Sequence, residues 1–336
     1  MKVSLPDPKP APAFPARLGK FAFVGLLLTI VLTGVGCDSK RTKATDAAAK
    51  PRVALVMKSL ANEFFLTMEN GAKAHQRDHA SDYELLANGI KDELDVSRQI
   101  DLVEQMIAQQ VNAIVIAPAD SKALVPVCKR AQQAGIMVVN IDNKFDPEVL
   151  AQSQVSFPFV GPDNRKGAKA VGDYLATKLS PAAQVFIVEG APNAFNGMQR
   201  KLGFEDAIKV SGMNVIGSQS GYWETDKANQ LVAAIANEHP DLKAVLCAND
   251  SMALGAVAAL RAAGKLDHVL VVGFDNIAAA QQLIKEGTLL ATADQHGDQL
   301  AVYGIEYALT MLREKAAPAD RETPVDLVTK QSLAAP

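Results

Sequence analysis

The sequence predicts an α/β protein of two lobes, and three observations carry that prediction. From residue 52 onward, short β-branched runs alternate with amphipathic helical stretches, the rhythm of βαβ units and parallel sheets. There are too many such runs for one compact sheet. The rhythm also stops and restarts around Phe157-Pro158-Phe159-Val160-Gly161-Pro162, which marks a boundary. A length of 336 residues, with 49% hydrophobic and 21% charged, suits two globular lobes.

The first element belongs to neither lobe. A basic, Pro-rich lead ends at Lys20, and the uncharged apolar run 21–32 has signal-peptide length, short of the ~20 residues that span a bilayer. Thr33-Gly34-Val35-Gly36-Cys37 follows, small residues before a cysteine, and is similar to the lipobox of bacterial lipoproteins, with Gly34 where Leu is commoner. Residues 1–36 are therefore expected to be a lipoprotein-type signal peptide with Cys37 lipidated; a simply cleaved secretory signal is the alternative. Residues 37–50, polar and Ala-rich, read as a flexible tether. Removing residues 1–36 takes away Lys2, Lys9, Arg17 and Lys20 against Asp7, so a net charge of -3 becomes -6. Nucleic acid is a poor partner for that surface, because phosphate binding needs clustered cations.

Ahead of the boundary the strand candidates are 52–57, 83–87, 113–117 and 137–141; behind it they are 184–189, 214–218, 244–248, 269–274 and 289–294. Helices fill the intervals, as in 96–110, where Ile100, Val103, Met106 and Ile107 line one face. Ligands of open parallel sheets bind beyond the carboxyl ends of the strands. Reading those positions in order gives Lys58 with Asn62, Phe64 and Phe65; Pro118 with Asp120; Asp142 with Asn143; Glu189; Trp223 with Glu224; Asn249 with Asp250; Asp275 with Asn276; and Gln295. Carboxylates accept from two hydroxyls at once, amides and cations return the bond, and aromatic faces cover the C–H face of a sugar ring. The set suits a neutral polyhydroxylated molecule. Singly, each residue has a plainer reading: Asn62 and Asp250 as helix N-caps, Phe64 and Phe65 as core, Asp142-Asn143 as a turn, Arg200 as a solvated helix residue, Trp223 as a loop anchor. Jointly these weaken, since chance would have to place a fitting group after strand upon strand.

Other chemistries lack their residues. Cys128 and Cys247 fall in apolar stretches of different lobes and read as packing, without C-x-x-C or a metal-spaced His/Cys cluster. His75 and His79 stand four apart without the Glu of a zinc helix and read as a solvated face. The run from Val188 to Gly197 has neither nucleotide-cradle spacing. No cofactor or metal is expected.

Several motifs resemble the periplasmic sugar-binding proteins of the ribose/allose group over roughly residues 52–330. Asn62-Glu-Phe64-Phe65 is similar to that family's N-P-F-F/W turn, Val138-Val-Asn-Ile-Asp142 to its strand ending in a ligand-binding Asp, and Arg200-Lys-Leu-Gly-Phe204 to its sugar-binding Arg. Ala248-Asn249-Asp250-Ser-Met-Ala-Leu-Gly-Ala256, Val272-Gly-Phe274-Asp275 and Ala291-Thr-Ala-Asp-Gln295 complete the likeness. The resemblance implies two similar Rossmann-like lobes with parallel sheets joined by a three-crossing hinge near Gly161, Gln295 and Asp326. The lobes would be residues 51–161 plus 296–325, and 162–295 plus 326–336. It further implies that Asp142, Asn143, Arg200, Asn249, Asp275 and Gln295 bind a sugar, with Lys58 and Asn62 at one rim and Phe64, Phe65 and Trp223 stacked on the ring. Glu63 replaces the usual Pro, Asn143 a ribose-binder Arg, and Lys58 a Ser; Lys58 and the stretch 140–146 are closer to the allose-binding branch.

The expected role is a monomeric, lipid-anchored clamp in the periplasm that closes on an aldose and hands it to an ABC permease of the inner membrane. A sensor feeding a chemotaxis receptor or histidine kinase is the competing reading. A sugar-responsive repressor is disfavoured because residues 1–50 hold an export signal instead of a DNA-binding helix pair. A glycosidase ranks third.

Overall fold

Apolar strands flanked by helices on both faces organise the computed structural model, which describes residues 50–314 and 319–334. The signal peptide expected over residues 1–36, Cys37 and the tether up to residue 49 lie outside the described residues. The chain runs β1 (Arg52–Ser59), α1 (Glu63–Asp78), β2 (Glu84–Ile90), α2 (Val96–Ala108), β3 (Ala113–Ile116), α3 (Val125–Gln133), β4 (Met137–Ile141), α4 (Pro147–Ser153) and β5 (Phe159–Pro162). There follow α5 (Asn164–Ala176), β6 (Gln184–Glu189), α6 (Phe195–Ser211), β7 (Asn214–Ser220), α7 (Thr225–Glu238), β8 (Leu242–Cys247), α8 (Asp250–Ala262), β9 (Leu270–Val272), α9 (Ala278–Glu286) and β10 (Ala291–Asp294). Then come α10 (Gly297–Glu314), β11 (Arg321–Thr323), β12 (Asp326–Thr329) and α11 (Lys330–Ala334).

Two six-stranded sheets result, ordered β11-β5-β4-β3-β1-β2 and β12-β10-β9-β8-β6-β7. The pairings are parallel except for β10 with β12 among the described residues. The chain passes from one sheet to the other three times: between β5 and β6, between β10 and β11, and between β11 and β12. Helix α10 packs on α1, β3 and β4 of the first sheet, whereas α5 packs on α6 and β10 of the second.

Period-two alternation decides which face each strand residue serves. In β1, Val53, Leu55 and Met57 join the cluster under α1 and α10, while Ala54 and Val56 join the one under α2 and α3. All five are fully buried, as strands covered on both faces require. The first of these clusters continues across both lobes, from Phe64 and Phe65 through Trp223 to Met252.

The nine expected strands correspond to β1–β4 and β6–β10, so β5, β11 and β12 are additions. Each of these three has only three or four residues, β5 ends on Gly161-Pro162, and β11 and β12 are edge strands, too short for a periodic signal. Helix α2 ends at Ala108, because Gln110 turns into left-handed backbone at φ 54°. Asn249, and not Asp250, caps α8: its Oδ1 accepts from Met252 N at 2.9 Å. Cys128 and Cys247 are buried free thiols in separate sheets' cores. His79 is exposed, but His75 is only half-buried and bonds the Tyr83 hydroxyl at 2.9 Å, so it is not purely a solvated-face residue.

Candidate functional site

Between the carboxyl ends of the two sheets lies a space of about 230 Å³ lined by Lys58, Asn62, Phe64, Phe65, Glu93, Asp142, Asn196, Arg200, Trp223, Asn249 and Asp275. A larger, open groove of about 1540 Å³ beside Pro51, His75, Asn112 and Arg313 sits at the amino ends of β1 and β3, the wrong end of the sheet for ligand binding in this architecture.

Each strand end delivers its side chain by a specific local device. Lys58 is the penultimate residue of β1 and is 3% exposed; its Nζ stands 3.3 Å from Asp142 Oδ2 and 5.6 Å from the ring centroids of both Phe65 and Trp223. Asn62 caps α1, Oδ1 accepting from Phe64 N at 3.1 Å while Nδ2 donates to Glu93 Oε1 at 3.1 Å. That cap turns Phe64 and Phe65 inward, edge to face with centroids 5.2 Å apart. Thus Asn62 is an N-cap and a cavity residue at once.

On the second lobe, Arg200 of α6 is held at several points: Nε donates to Asn164 Oδ1 at 2.7 Å, and Nη1 to Ala248 O at 2.9 Å and Asp275 Oδ1 at 3.2 Å. Its guanidinium lies 3.8 Å from the Phe274 centroid and 5.6 Å from that of Trp223, so it is stacked as well as bonded. Asp275 also accepts from Gln295 Nε2 at 2.7 Å. Burial lifts the Asp275 carboxyl well above its ordinary range, with Arg200 pulling the other way. Below this wall, Asp250 accepts from Thr292 Oγ1 and Ile277 N at 2.8 and 3.1 Å and ties α8 to β10.

Three cavity residues sit on backbone that side chains seldom adopt: Asp142 at φ 59°, Trp223 at φ 69° and Asp275 at φ 123°. Such strain, ~1–3 kcal/mol each, persists where surrounding structure fixes it and clusters at functional sites. Gly190 makes the Trp223 position possible, because a Cβ there would lie 2.0 Å from the indole ring.

Of the eleven expected binding residues, nine line the cavity and two do not. Asn143 is fully buried, with Nδ2 donating to Pro118 O at 2.8 Å and Oδ1 accepting from Ser121 Oγ and Asn196 N at 3.3 and 3.0 Å. It ties the lobes together. Gln295 stands behind Asp275 and holds it. Two lining residues went unnoticed in the sequence: Glu93 lies in a charged loop with no motif around it, and Asn196 sits in the first turn of α6. Both are buried, and Glu93 Oε2, Asp142 Oδ2 and Asn196 Oδ1 lack hydrogen-bond partners. The Lys58–Asp142 contact is therefore ionic without hydrogen-bond alignment.

Among the described residues no group of His, Cys, Asp and Glu could hold a metal ion, and no helix is long and apolar enough to cross a membrane.

Comparison with known proteins agrees with this architecture. A D-ribose/D-allose-binding protein of Pseudomonas aeruginosa is 55% identical over 311 residues, covering 90% of this chain and 97% of that protein. An ABC transporter solute-binding protein from Burkholderia multivorans superposes with a TM-score of 0.82 at 59% identity, covering 84% of this chain and 100% of that one. One from Actinobacillus succinogenes, solved with bound D-allose, gives 0.80 at 33% identity, covering 84% and 98%. These relatives bind solutes and are not enzymes, which sets the glycosidase reading aside. Residues 53–316 match the model of the periplasmic binding protein domain, and the chain belongs to that family.

Proposed function

We propose that this chain captures a monosaccharide of the ribose/allose kind by closure of its two lobes and delivers it to an ABC permease. One observation carries the reading: Glu93 Oε2, Asp142 Oδ2 and Asn196 Oδ1 are buried acceptors awaiting donors, set among Lys58, Arg200 and the rings of Phe64, Phe65 and Trp223. A polyol supplies hydroxyl donors to the acceptors, accepts from the two cations, and lays its C–H face on the rings. An anionic ligand would face three carboxylates. The sugars named for the relatives fit this demand.

Closure follows from differential affinity. Lys58, Asn62, Phe64, Phe65, Glu93 and Asp142 come from the first lobe, and Asn196, Arg200, Trp223, Asn249 and Asp275 from the second. Only the closed form offers both sets, so sugar shifts the equilibrium toward it. Gln295 and Asn143 act behind the wall. Transport is preferred to sensing because relatives are named for ribose import and ABC transport. The export signal over residues 1–36, a lipid on Cys37 and the tether complete the proposal: a monomer held at the membrane near its permease.

The sole tryptophan, Trp223, supplies the test. Titration of the exported chain with pentoses, hexoses and polyols, read by Trp223 emission and calorimetry, is expected to show saturable binding of an aldose. Silence from every sugar in both methods overturns the reading.

A further inference from the structure

Glu93 lies in the exposed run Lys91-Asp92-Glu93-Leu94, yet it alone is turned inward and is 4% exposed. The turn is well braced. Asp92 Oδ1 accepts from Leu94 N at 2.9 Å, Asp95 Oδ1 from Arg98 N at 3.0 Å, and the Lys91 carbonyl takes the Ser59 hydroxyl at 2.7 Å. Inside, Oε1 is fixed by Asn62 Nδ2 at 3.1 Å, Glu93 lines the cavity, and its buried Oε2 has no partner. A buried acceptor left unmet costs ~1–3 kcal/mol, more when charged, so this oxygen is stabilised by any ligand that brings it a donor.

We propose that Glu93 is a specificity-determining residue: its Oε2 accepts a hydrogen bond from one hydroxyl of the bound sugar and selects for ligands that carry a donor there. The inference rests on the sugar-binding reading above. Asn62 is then a positioning residue, because its Nδ2 holds Oε1 and aims Oε2 while its Oδ1 caps α1. The charged groups facing Glu93 are Lys58 from β1, Asp142 beyond β4, and Glu224 from the second lobe; Lys91 and Asp92 of its own loop point to solvent. Burial pushes its carboxyl up to about 7; Lys58 and the Asn62 hydrogen bond oppose the rise, and Asp142 and Glu224 add to it. The accepting form is the carboxylate. Binding therefore favours loss of the proton, and affinity falls as pH drops through about 7.

Calorimetry on the purified chain tests this, with D-ribose, D-allose and the single-deoxy derivatives of whichever binds, at pH 5.5, 7 and 8.5. Glu93→Ala is expected to weaken the parent sugar about 10- to 100-fold, the range for a hydrogen bond to a charged group. One deoxy derivative should lose a similar factor against the wild type and lose nothing further against Glu93→Ala, the coupling of a direct contact. Glu93→Gln, which keeps the shape should Ala not fold, is expected to remove the fall in affinity below pH 7. The proposal is overturned if both variants bind the parent sugar as the wild type does, or if every deoxy derivative loses equally against wild type and variants. A wild type that binds none of these sugars instead overturns the functional reading, and this inference with it.

Discussion

The two lobes meet in two kinds of contact, and they are opposites. In the cavity, acceptors from Glu93, Asp142 and Asn196 are unmet. Beside it, a latch joins the β3–α3 and β4–α4 loops to the β6–α6 loop with its bonds complete: Ser121 N donates to Asn193 O at 3.0 Å, Phe195 N to Ser121 Oγ at 2.9 Å, Asn193 Nδ2 to Asp120 Oδ2 at 2.9 Å, and Asn196 N to Asn143 Oδ1 at 3.0 Å. On the other side of the cleft, Ala278 N donates to Glu63 Oε1 at 2.8 Å and Ser251 Oγ approaches Asn62 Oδ1 at 3.5 Å. The contrast separates two jobs. The latch holds the lobes together whatever the ligand is, while the wall rewards only a ligand of the right pattern. Apparent affinity is intrinsic affinity scaled by the closed fraction, so latch changes should shift all sugars equally and wall changes should reorder them.

The sharpest test is Arg200→Ala. Removing one partner of a buried pair costs about 3–5 kcal/mol, and here it also frees Asn164 and the Ala248 carbonyl. We expect both a lower Tm and loss of sugar binding in calorimetry; unchanged affinity would remove Arg200 from the wall. Next is Gly190→Ala, whose new Cβ would meet the Trp223 ring; overpacking of about 1–3 kcal/mol should shift Trp223 emission and change the order of sugar affinities. Ser121→Ala comes third. It removes the acceptor of Phe195 N, and a loss of about 1 kcal/mol should weaken every sugar by the same factor; a changed preference would collapse the distinction between latch and wall. The smallest effect is expected from Glu63→Ala, where an acidic group at the N-terminus of α9 contributes about 0.3–1 kcal/mol at low salt, again uniformly across ligands and diminishing as salt is added.

Much of this was legible in the sequence because it rests on local signals. Apolar runs such as Val53–Met57 announce doubly covered strands, and their carboxyl ends are where a parallel sheet places its site; eight residues read from those ends do line the cavity, and Arg200 of α6 joins them. The rest depends on contacts between distant segments. Glu93 sits in a stretch of charges indistinguishable from a solvated loop, and only the Ser59–Lys91 and Asn62–Glu93 contacts turn it inward. Asn143 follows Asp142 directly, yet the left-handed backbone at Asp142 sends the two side chains to different tasks. Arg200 proves more structural than its position on an exposed-looking helix suggests, since three acceptors within the second lobe hold it.

The strained backbone at Asp142, Trp223 and Asp275 has a consequence for directed evolution. Glycine at any of these sites would relieve part of the strain while deleting a side chain that the cavity uses. The loss outweighs the relief, because glycine at Asp142 or Asp275 strands Lys58 or Arg200 as a buried charge and glycine at Trp223 empties an aromatic-sized space. A library of this chain sorted by heat alone would therefore retain these three side chains, and survival and ligand capture would be selected together.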